Sequence, residues 1–132
     1  MPAVVNVPIE THYHHFDQQG VAFNMWYLAF LEQARNGYLA AQGYSLKDLL
    51  VSGHDIQVVH VEIDWTAAVR YGDEVDIGVT AQRVGTTSFA LGFSVNVQGR
   101  TRATASITYV IVDAAVKGKA PIPDGLRSVL GR

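Results

Sequence analysis

The sequence contains no cysteine. Disulfides, thiolate metal sites and a cysteine nucleophile are excluded together. Charge is sparse: 17% of the 132 residues are Asp, Glu, Lys or Arg, and the formal net charge is −2. A balance so near neutrality argues against a dedicated nucleic-acid or anionic-membrane binder. No apolar run is long enough to span a bilayer. The opening "MPAVVNVPIETHYHH" has no basic region followed by a long apolar run, so it does not read as a signal peptide. Internal repeats and low-complexity segments are missing. So are a glycine-rich phosphate loop, a G-x-S-x-G elbow, H-E-x-x-H and zinc-type spacings. What is there in quantity is apolar residue, 48% of the chain, enough for one well-packed domain and too much for disorder. These numbers predict a single soluble, cytoplasmic domain over residues 1–132.

Residues 4–12, "VVNVPIETH", read as a strand. Pro8 favours an edge, because it cannot donate a ladder hydrogen bond. Residues 13–23 are irregular. A helix follows over 24–42: Tyr27, Phe30, Leu31, Ala34 and Tyr38 share one face, and Glu32, Gln33, Arg35 and Asn36 fill much of the other. Asn24 is the expected N-cap and Gly43 the stop. "SLKDLLVSG" (45–53) predicts a short second helix, with Ser45 and Asp48 at capping-box spacing. Period-2 alternation then marks strands at 61–69, 75–81, 89–97 and 105–111, with turns at 71–74, 84–88 and 98–100. Residues 117–125 read as a loop-like tail. One strand, one long helix and an antiparallel meander make an α+β domain. The helix needs the sheet to bury its apolar face, and the sheet's other face and edges are left for a partner, which predicts a dimer.

The segment "YHHFDQQGVAFNMWYLAFLEQAR" (13–35) sets Tyr13, Asp17, Gly20, Tyr27 and the pair Ala34-Arg35 in a characteristic order. It resembles the hotdog-fold acyl-CoA thioesterases, specifically the 4-hydroxybenzoyl-CoA thioesterase / YbgC-like branch. "VEIDWTAAVRYGDEVDIGV" (61–79), with Gly72-Asp73 at its turn, resembles a second stretch of that family. The likeness runs through nearly the whole chain. It implies a hotdog fold, a five-stranded antiparallel sheet wrapped around one long helix. It also implies a homodimer or homotetramer that hydrolyses an acyl-CoA, with no cofactor or metal beyond the coenzyme A of the substrate. Two positions depart from the branch: His15 stands where many members have a second acidic residue, and Asn24 where many have His.

Thioester hydrolysis needs a group that attacks or delivers water, and donors for the oxygen that becomes negative. Asp17 suits either the nucleophile, through a mixed anhydride, or the general base; it equally suits a turn initiator or helix cap. Gly20 permits a tight turn before the helix. The first helical N–H groups, around Phe23, Asn24 and Met25, lack intrahelical partners and form natural oxyanion donors. The Asn24 side chain can position water or carbonyl, and Tyr13 can hydrogen-bond Asp17 or substrate. Phe23, Trp26 and Tyr27 suit core or pocket wall. His60, with His54 on or near the strand after the second helix, is placed by the resemblance near a partner's site. Arg83, Arg100 and Arg102 are candidates for the phosphates of CoA, against solvated surface charge. His14 and His15 are neighbours, so an extended segment would point them apart and make them poor joint metal ligands. Two other readings stay open: a non-catalytic acyl-CoA or acyl-carrier binding protein, and a hotdog hydratase or dehydratase, for which the usual His-containing signature is missing near Asp17.

Overall fold

A computed structural model describes residues 4–22 and 24–131. Phe23, an expected pocket wall, lies outside the described residues. The strands are β1 (Val5–Ile9), β2 (His54–Trp65), β3 (Val75–Val84), β4 (Ser88–Val97) and β5 (Arg100–Asp113). The helices are α1 (Tyr27–Ala41), α2 (Leu46–Val51) and α3 (Asp124–Leu130). All strand pairs are antiparallel, in the order β1-β3-β4-β5-β2. Pro8 therefore lies on an edge strand, as its missing donor requires.

The amphipathic reading of α1 holds. Tyr27, Phe30, Leu31, Ala34 and Tyr38 are buried against Ile77, Val79, Leu91, Ile107 and Tyr109 of the sheet. Gly43, at φ +84°, ends the helix region in a conformation that costs glycine little. The second helix is capped as its spacing predicts: Asp48 N–H donates to Ser45 Oγ at 3.2 Å, and Ser45 N–H donates to Asp48 Oδ2 at 2.8 Å. The β4–β5 hairpin turns through Gln98 and Gly99, both at positive φ, the geometry that matches strand twist in a two-residue loop.

Four details differ from expectation. Asn24 does not cap α1; a 3₁₀ turn over Asn24–Trp26 precedes the helix, so Asn24 sits inside its first turn. Strand β2 starts at His54, and the register shift between Val58 and His60 breaks the alternation that would have revealed it. It also ends at Trp65, because Val69 turns away to accept a hydrogen bond from Ala22 N–H at 2.7 Å. Residues 117–123 are irregular, as expected, but α3 begins at Asp124, inside the expected loop, and its Leu126, Val129 and Leu130 are buried at helical spacing behind Pro121 and Pro123. Arg35 is not on a solvated face. Its stem folds inward, its guanidinium lies 5.5 Å from the Tyr109 ring centroid, and Nε and Nη2 each donate to Asn36 Oδ1 at 3.1 Å. Burial pushes the Tyr109 phenol up to about 12, with the Arg35 charge acting the other way.

Candidate active site

Asp17 heads a four-residue reversal. Its Oδ1 accepts from Gln19 N–H at 2.8 Å and Val21 N–H at 3.2 Å. Its backbone carbonyl accepts from Gly20 N–H at 2.9 Å, and its N–H donates to Val21 carbonyl at 2.9 Å. This is an Asx-type turn, the local bonding that favours Asp at such positions. Gly20, at φ +73°, supplies the left-handed residue that the reversal needs. Asp17 is exposed, and among the described residues its Oδ2 has no hydrogen-bond partner.

The turn is tied to the sheet end. Tyr71 N–H donates to Gly20 carbonyl at 2.8 Å. The adjoining 70–73 turn closes on itself through Arg70 N–H to Asp73 Oδ2, 2.8 Å. Gly72-Asp73 thus fixes the floor on which the Asp17 turn rests. Tyr13 does not reach Asp17: it is exposed and stands edge-on to Tyr71, ring centroids 5.4 Å apart.

Two open cavities meet at the start of the helix. One, of about 320 Å³, is lined by Asn24, Met25, Leu28, Val61, Ile63 and Trp65. The other, of about 300 Å³, runs from Val21 and Ala22 past Asn24, Tyr27 and Trp65 to Thr66–Ala68. Asn24 and Trp65 belong to both. Among the described residues the Asn24 side chain has no hydrogen-bond partner, so its amide is available at the junction. Tyr27 is buried beneath, edge-on to Trp65 at 5.8 Å. Burial raises its phenol pKa, while the Val69 backbone and the Arg102 charge pull it down.

Arg102 acts here as a strap. Its backbone carbonyl accepts from Thr66 N–H and Ala67 N–H, and its Nη1 donates to Ala68 carbonyl at 3.3 Å. That holds the wall of the second cavity, so its guanidinium is turned to the protein. Arg83 and Arg100 are exposed. They stand at opposite ends of the sheet, Arg83 beside Ala90 and Arg100 beside Val97, whose β3 partner is Val75. Eight residues of strand separate the two levels, about 26 Å, so within one protomer they cannot share a phosphate group.

His60 is also apart from the rest. Strand alternation puts Val61, Ile63 and Trp65 on the cavity side and His60, Glu62 and Asp64 on the other. His60 Nε2 lies 2.9 Å from Glu62 Oε1. His54 Nδ1 meets Ser52 Oγ at 3.0 Å. His14 and His15, expected to diverge, do not. Tyr13–His15 is a 3₁₀ turn, and the two rings are 4.3 Å apart. His15 is buried against Trp26 and Phe30, and its Nδ1 accepts from His12 N–H at 3.0 Å. Burial lowers its pKa, reinforced by His14 and His12.

The structure thus gathers Asn24, Met25 and Tyr27 about one helix start, and leaves Asp17 and Gly20 on the preceding turn and Tyr13, His60 and Arg83, like them, outside the cavity walls. Leu28, Val61, Ile63 and Trp65 were missed as site residues. The alternation of Val61, Ile63 and Trp65 reads equally well as core, and Leu28 reads as one more apolar helix position; the half-buried setting of Val61 and Ile63 on an edge strand and the exposure of Leu28 and Trp65 distinguish them. Among the described residues no helix is long and apolar enough to cross a membrane.

A family model for the Thioesterase-like superfamily matches residues 13–130. A 1,4-dihydroxy-2-naphthoyl-CoA hydrolase of Nostoc punctiforme is 27% identical over 109 residues, 82% of this chain and 74% of that one. A 1,4-dihydroxy-2-naphthoyl-CoA thioesterase from Synechocystis superposes with a TM-score of 0.87 at 19% identity, covering 98% of this chain and 96% of that one. A thioesterase superfamily protein from Jannaschia gives 0.90 at 18% identity, covering 98% and 92%. At these identities the superpositions establish the hotdog-type fold; the two relatives named here for a substrate are named for 1,4-dihydroxy-2-naphthoyl-CoA, which supports the superfamily and not specifically the 4-hydroxybenzoyl-CoA thioesterase / YbgC-like branch. With a family match spanning most of its length, the chain belongs to the Thioesterase-like superfamily.

Proposed function

We propose that this protein hydrolyses the thioester of an acyl-CoA. The observation that carries the reading is the meeting of two cavities at Asn24, on the first turn of the helix. The acyl group lies in one cavity and the pantetheine arm in the other, so the carbonyl falls at the junction. N–H groups of Asn24 and Met25 stand at the positive end of the helix dipole and stabilise the oxyanion. Asp17 lines neither cavity wall, and this favours a general base acting through water over a direct nucleophile. Its Oδ2 takes a proton from the attacking water; the hydroxide adds to the carbonyl carbon; the tetrahedral intermediate collapses and CoA leaves as thiolate.

The working unit is a homodimer in this reading. Strand β2 is a 12-residue edge with one ladder unpaired, and Val58 and Val59 on it are 45% and 56% exposed. A second copy pairing along that edge would satisfy its backbone groups and close the open side of both cavities.

Replacing Asp17 by Asn tests the chemistry. Hydrolysis of acyl-CoA thioesters, read as free CoA with a thiol reagent, is expected to fall at least about a hundredfold. Near-normal turnover would overturn the assignment of Asp17.

A further inference from the structure

We infer that the acyl group this site takes is a plain hydrocarbon one, without hydroxyl substituents, because within one protomer the cavity beyond Asn24 is walled by Met25, Leu28, Val61, Ile63 and Trp65, whose one hydrogen-bond donor is the Trp65 indole N–H. The inference rests on the thioesterase reading above and sets this chain apart from relatives named for a dihydroxylated aryl group.

The cavity walls come from two elements with different reasons for being apolar. On the helix side, Met25 and Leu28 are one turn apart, and both stand in the open, 71% and 45% exposed. A solvated helix face ordinarily carries polar residues, so two large apolar side chains in sequence there call for an apolar occupant. On the strand side, alternation sends Val61, Ile63 and Trp65 inward and every ionisable neighbour, His60, Glu62 and Asp64, to the opposite face. Glu62 and Asp64 line a separate depression there, with Gln82 and Ser106.

The first charged groups along α1 are Glu32 and Arg35, paired at 3.9 Å. Glu32 is eight residues past Asn24, about 12 Å along the axis. A ring hydroxyl remote from the carbonyl at Asn24, such as one at position 4 of a 2-naphthoyl group, falls well short of that pair and faces Met25, Leu28 and Ile63 instead, whereas one beside the carbonyl can bond the carbonyl itself. A hydroxyl desolvated without a partner is penalised, whereas a methylene or ring C–H in the same place is favoured. Asn24 is taken up at the carbonyl, so of two ring hydroxyls at most one finds a side-chain partner in this wall, at the Trp65 indole N–H.

The test compares kcat/KM of the full-length protein on 1,4-dihydroxy-2-naphthoyl-CoA, 2-naphthoyl-CoA and octanoyl-CoA. The two aryl thioesters share a ring and differ by the hydroxyls alone. Expected is a preference of at least about tenfold for 2-naphthoyl over its dihydroxy analogue, equivalent to about 1.4 kcal/mol. The octanoyl arm separates chain from ring: whichever hydrocarbon substrate leads, a lead over the dihydroxy compound supports the inference. Equal or better turnover of the dihydroxy compound overturns it and leaves the thioesterase reading standing. Failure to hydrolyse any of the three overturns both. Leu28→Gln, on an exposed helix position, is expected to shrink the 2-naphthoyl preference at least about threefold with the helical circular dichroism unchanged. A preference unmoved by that variant would overturn the assignment of this wall as the discriminating one.

Discussion

Gly37 on α1 faces Val7 of β1 so closely that a Cβ placed there would lie 2.4 Å from Val7 Cγ1 and 3.3 Å from Cγ2. Carbon pairs prefer about 3.5–4.0 Å, so Gly37→Ala forces the two elements apart or drives Val7 off its rotamer. Val7 has little room to yield. It is β-branched and stiff, 9% exposed, and registered against Ile77 of β3. Overpacking of this kind costs roughly 1–3 kcal/mol. Alanine in a helix interior returns about 1 kcal/mol relative to glycine. The clash should win, leaving a net destabilisation of about 1 kcal/mol and a melting temperature lower by several degrees. A second background makes the reasoning strict. Val7→Ala removes both Cγ atoms and leaves only the Cβ contact, at 3.4 Å, which is ordinary. There, Gly37→Ala should become stabilising by roughly 0.5–1 kcal/mol, the propensity gain alone. Urea unfolding of the four proteins of this cycle gives the coupling directly. The same destabilisation in both backgrounds would refute the contact as its cause.

Two further outcomes follow from the same structure. His15 has a folded pKa below its ordinary 6.5, so the unfolded chain binds the proton more readily and stability must rise with pH through that range. The contribution is complete above about 6.5 and is lost as pH falls toward the lowered folded value. The groups facing His15 are His14 and His12, with Glu10 3.8 Å beyond His12. Urea midpoints at pH 7.5, 6.5 and 5.5 should show this slope flattened in His15→Gln; an unchanged slope assigns it to other groups. On β2, Val58→Lys with Val59→Lys places charge along the open edge. Sedimentation should then report half the mass of the parent and activity should drop with it; an unaltered mass would show that the edge is not where copies meet.

The elements that packing alone determines were readable in the sequence. Five apolar side chains at helical spacing announced α1, and the alternations after residue 75 announced β3 to β5. What escaped notice depends on contacts remote in the chain. A register shift at Val59 hides half of β2, and Val69 leaves its strand pattern to serve Ala22. Arg35 reads as surface until Tyr109, 74 positions on, provides a ring for it. The adjacent histidines diverge only in an extended chain, and the bond from His12 N–H to His15 Nδ1 is what winds them into a turn. For the site, residue types were legible and sides were not: alternation marks Val61, Ile63 and Trp65 as sharing a face, but not that the face is an open cavity wall at a sheet edge.

The two readings of Asp17, turn former and catalytic carboxylate, are not rivals, because each uses a different oxygen. Oδ1 is committed to Gln19 and Val21; Oδ2 is the one left for chemistry. The distinction decides which variant is informative. Asparagine keeps an acceptor at Oδ1 and so keeps both turn bonds, while its amide cannot take a proton from water. Alanine loses both bonds, roughly 0.5–1.5 kcal/mol each, and would loosen the 17–20 reversal that Tyr71 N–H clasps at Gly20. Loss of hydrolysis in Asp17→Ala would therefore confuse a collapsed turn with a missing base. In Asp17→Asn, with unfolding free energy close to the parent, the same loss belongs to the carboxylate.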